Sequence, residues 1–150
     1  MKALVVYDSA YGNTEQIAKA IAAGIGKDGV KVLKASEAKA DDLAGLNLLV
    51  VGSPTQGGRP TQAVQDFLKT IPSYSLQKVK TGAFDTRIVK GGVGAFAKIF
   101  GYAAGRIESA LKDAGAVNVA SEGFAVKGRQ GPLQDGELER ANKWGAALAS

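Results

Sequence analysis

Apolar positions along the chain alternate between two rhythms. Short runs rich in Val, Leu and Ile at Ala3 to Tyr7, Val30 to Lys34, Leu48 to Gly52, Thr81 to Asp85 and Val117 to Val126 read as strands. Between them apolar side chains recur every three or four residues, with Ile17, Ile21, Gly24 and Ile25 on one stripe and Val64, Phe67, Leu68 and Ile71 on a second. Phe100, Ala103, Ile107 and Leu111 form a third. Each stripe predicts a helix with one face to bury. A last helix is predicted after Gly131-Pro132, with Asp135 near its start and Leu138, Ala141, Gly145 and Leu148 along one face. From Ala35 to Asn47 the chain opens polar, and Asp41-Asp42-Leu43 suggests a short or distorted helix with a capping carboxylate.

Strands that alternate with helices are joined by right-handed crossovers, which place helices on both faces of a parallel sheet. The expected fold is therefore α/β, a doubly wound sheet of five parallel strands. Such sheets take ligands beyond the carboxyl ends of their strands, at the point where strand order reverses. Residues 8 to 14, 53 to 60 and 85 to 95 all follow predicted strands and belong at that edge.

Composition narrows the chemistry. With 150 residues and 45% hydrophobic content, the chain has material for one domain spanning 1–150. No apolar stretch approaches the roughly 20 residues of a membrane-spanning helix, and Met1-Lys2-Ala3-Leu4 runs directly into a strand. No membrane span and a cytoplasmic location are expected. Cysteine and histidine are both absent, which removes disulfides, thiolate chemistry, imidazole bases and nearly every transition-metal site. Ser9 and Ser53 lack the usual base that would make either a nucleophile, so no catalytic side chain and no metal ligand is assigned. A chain so poor in reactive groups borrows its chemistry from a cofactor.

The net charge of +5, from 19 basic and 14 acidic residues, points to a partner with an acidic docking surface. The basic residues are scattered, and no zinc-finger spacing, aromatic RNA-binding signature or basic helix supports nucleic-acid recognition.

Residues 8 to 14 read Asp-Ser-Ala-Tyr-Gly-Asn-Thr, between the first strand and the first helix. A strand-to-helix turn of this kind lets hydroxyls from Ser9 and Thr14 and backbone N–H groups converge on one anion at the positive end of the helix dipole. Gly-Asn-Thr before a helix is equally ordinary capping chemistry, with Gly12 permitting the turn. Neither a Gly-x-x-x-x-Gly-Lys-[Ser/Thr] run nor a Gly-x-Gly-x-x-Gly after the first strand is present, which disfavours nucleoside triphosphate hydrolysis and the usual dinucleotide site.

The pattern Ser9-x-Tyr11-Gly12-Asn13-Thr14 after a first strand resembles the phosphate loop of the flavodoxin family. That resemblance implies FMN as cofactor, a strand order of 2-1-3-4-5, and a phosphate held by Ser9, Ala10, Tyr11, Gly12, Asn13 and Thr14. Two further loops would hold the flavin ring. Gly52-Ser53-Pro54-Thr55-Gln56-Gly57 matches the family's Gly-Ser-Pro-Thr-aromatic-Gly loop by position, except that Gln56 stands where the aromatic is usual. In flavodoxins the peptide at the position of Gly57 can turn its carbonyl toward the protonated flavin N5; Gly57-Gly58 is also a simple turn before a helix started by Pro60. After the fourth strand, Phe84, Asp85, Thr86 and Arg87, with Gly91 further on, are expected to meet the ring edge. Phe84 is a candidate to stack on the ring or to fill the core, Phe96 and Phe100 are weaker candidates, and Trp144 is expected to pack.

Arg59, Arg87 and Lys90 lie in the ring-side loops, where acidic flavodoxins place carboxylates or apolar groups. Cations within about 6 Å of the reduced ring would make its final reduction step less negative by Coulomb attraction. The resemblance covers nearly the whole chain and implies a one-electron carrier between redox proteins. An FMN-dependent NAD(P)H/quinone-type reductase, with the ring face beside Gln56 open to substrate, and a flavodoxin-fold binding module with weak FMN affinity are the alternatives.

Overall fold

The first and third strands are apolar at almost every position, the composition of strands covered on both faces. The computed structural model describes residues 1–89 and 102–150. In it β1 (Ala3–Tyr7), β2 (Val30–Lys34), β3 (Leu48–Pro54), β4 (Lys80–Ile88) and β5 (Val119–Val126) form one five-stranded sheet of order β2-β1-β3-β4-β5. Neighbouring strands of this sheet all pair in parallel. β1 is buried throughout and β3 at all but its last residue, whereas β2 at the edge is half-exposed.

Helices α1 (Asn13–Ile25) and α4 (Glu137–Ala149) cover one face; α2 (Gln62–Lys69) and α3 (Ala103–Asp113) cover the other. Alternation along the strands divides the core accordingly. Val5, Val50 and Phe84 face α1 and α4 with Ile17, Ile21 and Phe124, while Leu4, Val51 and Ala83 face α2 and α3 with Phe67 and Ile107. α1 and α4 cross at two glycines. A Cβ on Gly24 would stand 1.9 Å from the Asn142 carbonyl oxygen, and one on Gly145 2.1 Å from that of Ile21.

Several expected boundaries move. β3 continues to Pro54 and β4 to Ile88, so Asp85, Thr86 and Arg87 belong to a strand and not to a loop. Parallel pairing carries the extension, because Ser53 is paired with Asp85 and Pro54 with Thr86. β5 begins at Val119, leaving Val117 72% exposed. The uncertain segment after β2 forms a 3-10 turn, Ala40–Leu43, whose capping carboxylate is Asp42, accepting from the Lys39 N–H at 2.8 Å. Leu138 was expected on the buried face of α4 and is 43% exposed. The buried stripe is Glu137, Ala141, Gly145 and Leu148.

That buried carboxylate has a structural reason. β5 is an edge strand, and its outward N–H groups would otherwise be unpaired. Glu137 Oε2 accepts from the Ala125 N–H at 2.7 Å, and the Arg140 guanidinium donates to both the Glu137 carboxylate and the Gly123 carbonyl. The hydrogen bonds to Glu137, with the nearby Glu122 carboxylate adding to them, hold the Arg140 guanidinium above its ordinary pKa.

Candidate functional site

The carboxyl ends of β1, β3, β4 and β5 open into a cleft of about 440 Å³, within the range typical of small-molecule sites. Its walls come from the loop after β1, the loop after β3, the end of β4 and the loop after β5.

On the first wall, Gly12 at φ 91° makes the left-handed bend that starts α1. Its side-chain-free cap is replaced from upstream, since Ser9 Oγ accepts from the Gly12 N–H at 3.0 Å and the Glu15 N–H at 3.4 Å. The Gly12 carbonyl takes the next N–H, of Gln16, at 3.1 Å. Among the described residues no acceptor in the chain meets the N–H groups of Ala10, Tyr11, Asn13 or Thr14. Asn13 and Thr14 carry orphan donors of the helix start and Ala10 and Tyr11 belong to the loop before it, and four unpaired donors at the positive end of a helix suit an anion such as phosphate.

Thr14 is 1% exposed yet lines the cleft, and its hydroxyl lies 2.8 Å from that of Thr86 on β4. Each hydroxyl has a single proton, so when Thr86 donates to Thr14 the Thr14 proton is left for a ligand. Below the loop, the Tyr7 hydroxyl donates to Glu15 Oε2 at 2.6 Å, tying the end of β1 to the first turn of α1. Burial, then the bond to Glu15, pushes the Tyr7 phenol up to about 12. The same bond holds the Glu15 carboxyl below its usual range.

On the second wall, Pro54, Thr55, Gln56 and Gly57 line the cleft. Gln56 and Arg59 exchange both main-chain bonds, at 2.9 and 3.1 Å, around Gly57 (φ 58°) and Gly58 (φ 77°). Positive φ at both central residues is the type I′ pattern, which glycine adopts without strain. A Cβ at Gly57 would meet no atom within 4 Å, so its peptide has room to turn. Thr55 Oγ1 accepts from the Ala103 N–H at 3.1 Å and fixes the start of α3.

Ser53 does not reach the cleft. Its buried hydroxyl accepts from the Thr61 N–H and donates to the Pro54 carbonyl, both at 2.9 Å, so it shapes the loop from beneath. Phe84 likewise is a core residue. It is fully buried, its ring fills the space above Gly52, and Phe124 and Trp144 meet it edge-on at centroid distances of 6.3 Å. Trp144 packs, as expected. The reason Phe84 misses is its place along β4: it shares a face with Thr86 but stands two residues further back from the carboxyl edge. Gly91 lies outside the described residues, as do Lys90, Phe96 and Phe100.

The cation expected beside a ring is neutralised. Arg87 Nε and Nη2 donate to the two carboxylate oxygens of Asp85, each at 2.7 Å, with both side chains buried. Asp85 also accepts from the Ala104 N–H at 2.9 Å. Burial raises the Asp85 carboxyl above its ordinary range, against the opposing pull of Arg87. The guanidinium lies flat between Gly123, where a Cβ would come within 2.3 Å of it, and the Tyr102 ring, whose centroid is 3.7 Å away. Arg87 thus contributes a planar wall at the cleft, while Asp85 stays behind it. Arg59 faces a different groove, between α2 and α3.

Ile88, Val126 and Arg129 complete the lining and were absent from the expected set. Ile88 was missed because β4 was ended three residues early. Val126 and Arg129 close or follow β5 at the same carboxyl edge, which the switch-point rule marks as ligand territory. Their loop is held against α1, since a Cβ on Gly131 would come within 2.6 Å of the Asn13 amide.

The flavodoxin family profile matches residues 5–144. The chain belongs to the flavodoxin family. Flavodoxins bind FMN, and the donor set at the start of α1 fits the phosphate of that cofactor. A curated protein of Nostoc sp. (strain PCC 7120) named "Putative diflavin flavoprotein A 6" is 38% identical over 120 residues, covering 74% of this chain and 19% of that protein. The chain thus spans about a fifth of the length of this relative. Among solved structures, a flavodoxin from the domain Archaea superposes with a TM-score of 0.71 at 23% identity, covering 99% of this chain and 96% of that one. The Flv1 flavodiiron core from Synechocystis sp. PCC6803 gives 0.69 at 25% identity, covering 99% of this chain and 35% of that one.

Proposed function

We propose that the cleft binds FMN, phosphate toward Asn13 and ring toward Gln56 and Gly57, and that the protein carries single electrons between redox partners in the cytoplasm. The observation that carries this reading is one cleft that joins a lysine-free anion cradle to an uncrowded glycine turn. FMN supplies the electron-accepting ring. The N–H groups of Ala10, Tyr11, Asn13 and Thr14 hold the phosphate together with the Thr14 hydroxyl, and Arg129 adds a cation to the same cleft. Pro54, Thr55, Ile88 and Val126 wall the ring from water. With FMN bound, the Gly57 carbonyl, which has space around it, would accept a hydrogen bond from the N–H that N5 gains on reduction.

Carboxylates of a partner meet the positive surface of a chain with net charge +5. A likeness to diflavin and flavodiiron proteins supports a role in which electrons pass on to another protein or module. The expectation of a less negative final reduction step loses Arg87 to Asp85 and Arg59 to the α2–α3 groove.

The test is the visible spectrum of the purified protein during stepwise reduction. Yellow protein that passes through a blue one-electron form is expected. A colourless protein that leaves the fluorescence of added FMN unquenched overturns binding, and a direct two-electron passage overturns the carrier role. A quinone-type reductase is the second reading, favoured by the exposed Gln56 at the mouth of the cleft in place of a covering aromatic. Sustained NAD(P)H oxidation with added quinone would select it.

A further inference from the structure

A second groove of about 420 Å³ runs between α2 and α3, beginning at Arg59 and Pro60, directly after the glycine turn of the cofactor cleft. Its floor is apolar, with Leu68, Ile71 and Ala110. Its rim carries Arg59, Lys69 and Arg106, and among the described residues none of these pairs with a carboxylate. One acid, Asp113, belongs to the lining, at the end of α3 remote from the cofactor cleft. The groove is therefore polarised, with its arginines toward the flavin side.

At the remote end stands Tyr74, 73% exposed and at φ 64°, a left-handed conformation that costs a bulky residue free energy. The strain is held in place. The Leu76 N–H donates to the Ala114 carbonyl at 3.2 Å, and Gly115 lets the Tyr74 backbone approach so closely that a Cβ there would lie 2.8 Å from Tyr74 Cα. A strained, solvent-facing tyrosine at one end and unpaired arginines at the other give the groove residue types enriched in protein-binding hot spots.

We infer that the α2–α3 groove is the docking site for an acidic, partly apolar segment of a redox partner protein. Carboxylates of the partner meet Arg59 and Arg106, its apolar side chains cover Leu68 and Ala110, and Tyr74 anchors the far end. Because Arg59 closes the turn that contains Gly57, docking sets the partner beside the ring edge. The inference rests on the carrier reading for the identity of the partner and on charge complementarity for its chemistry.

The experiment uses FMN-loaded protein and a fluorescein-labelled peptide of alternating Glu and Leu, with a Gln/Leu peptide as reference, read by anisotropy. The Glu/Leu peptide binds and weakens with salt, whereas the Gln/Leu peptide does not bind detectably. Lys69→Glu and Arg106→Glu each weaken binding about tenfold or more, while Lys27→Glu and Lys143→Glu, with the same change in net charge, stay within about twofold. Arg106→Lys retains most of the affinity. Tyr74→Asn, which accepts positive φ, weakens the peptide without lowering the urea midpoint. Equal losses from all charge reversals, or displacement of the peptide by inorganic phosphate but not by chloride of equal ionic strength, overturns the groove. Stepwise reduction of the same samples separates the two readings. Groove-dependent binding without a one-electron form supports the groove and overturns the carrier, whereas a one-electron form with groove-independent binding does the reverse.

Discussion

Single atoms decide whether the helix start binds an anion or merely caps itself. The hydroxyl of Thr14 shares one proton with that of Thr86 and can turn the other to a ligand. Thr14→Val should therefore weaken FMN by about tenfold, the value of one hydrogen bond to a charged group, and riboflavin hardly at all. Thr14→Ser should keep the difference between the two ligands. Equal losses for FMN and riboflavin, measured by fluorescence quenching, would place the phosphate elsewhere. Asp85 was expected at the ring edge and instead neutralises Arg87 within the protein. Asp85→Asn leaves a buried guanidinium without its counter-charge and should cost about 3–5 kcal/mol in urea unfolding, far more than a surface carboxylate would.

Elements are joined through side chains placed at their ends. Tyr7 closes β1 and reaches Glu15 in α1, bracketing the cradle between them. Its phenol is raised from 10.0 to about 12, so the folded state holds that proton more tightly than the unfolded chain does. The resulting stability is complete below pH 10 and is lost as pH rises toward 12. The gap in urea midpoint between the protein and Tyr7→Phe should close across that window; a gap independent of pH would show that the bond contributes nothing. Glu137 performs the corresponding service for β5. Glu137→Ala uncovers the Ala125 N–H and should cost about 1–3 kcal/mol, with light scattering rising as the strand edge is exposed. Helical periodicity could locate α4 but assigned Leu138 to its buried face, because a carboxylate in the stripe is explained only by the strand edge it covers.

Across the whole molecule, the layer that backs the cofactor cleft depends on how closely α1 and α4 approach. Gly24 and Gly145 allow main chain to touch main chain. Gly145→Ala should force the helices apart and cost about 1–3 kcal/mol, measured by thermal unfolding, despite the better helix propensity of alanine. A stabilised variant would mean the helices separate freely. The family assignment and the cleft agree at this scale, since four strand ends and their loops converge on one volume as the parallel topology requires.

The order of apolar runs and helical stripes by itself determined the doubly wound parallel sheet, because a strand buried on both faces and a helix buried on one leave different periods in the chain. Ser9 to Thr14 and Pro54 to Gly57 were legible for a related reason: glycine, proline and small hydroxyl residues shape the loop through their own backbone, whatever surrounds them. The tertiary structure alone decided which side chains line the cleft. Phe84 packs over Gly52 against Phe124 and Trp144, Ser53 is claimed by a neighbouring N–H, Arg87 is taken by Asp85, and Arg129 arrives from a loop more than a hundred residues from Ser9. Those outcomes depend on register and pairing between distant segments, which a local pattern does not encode.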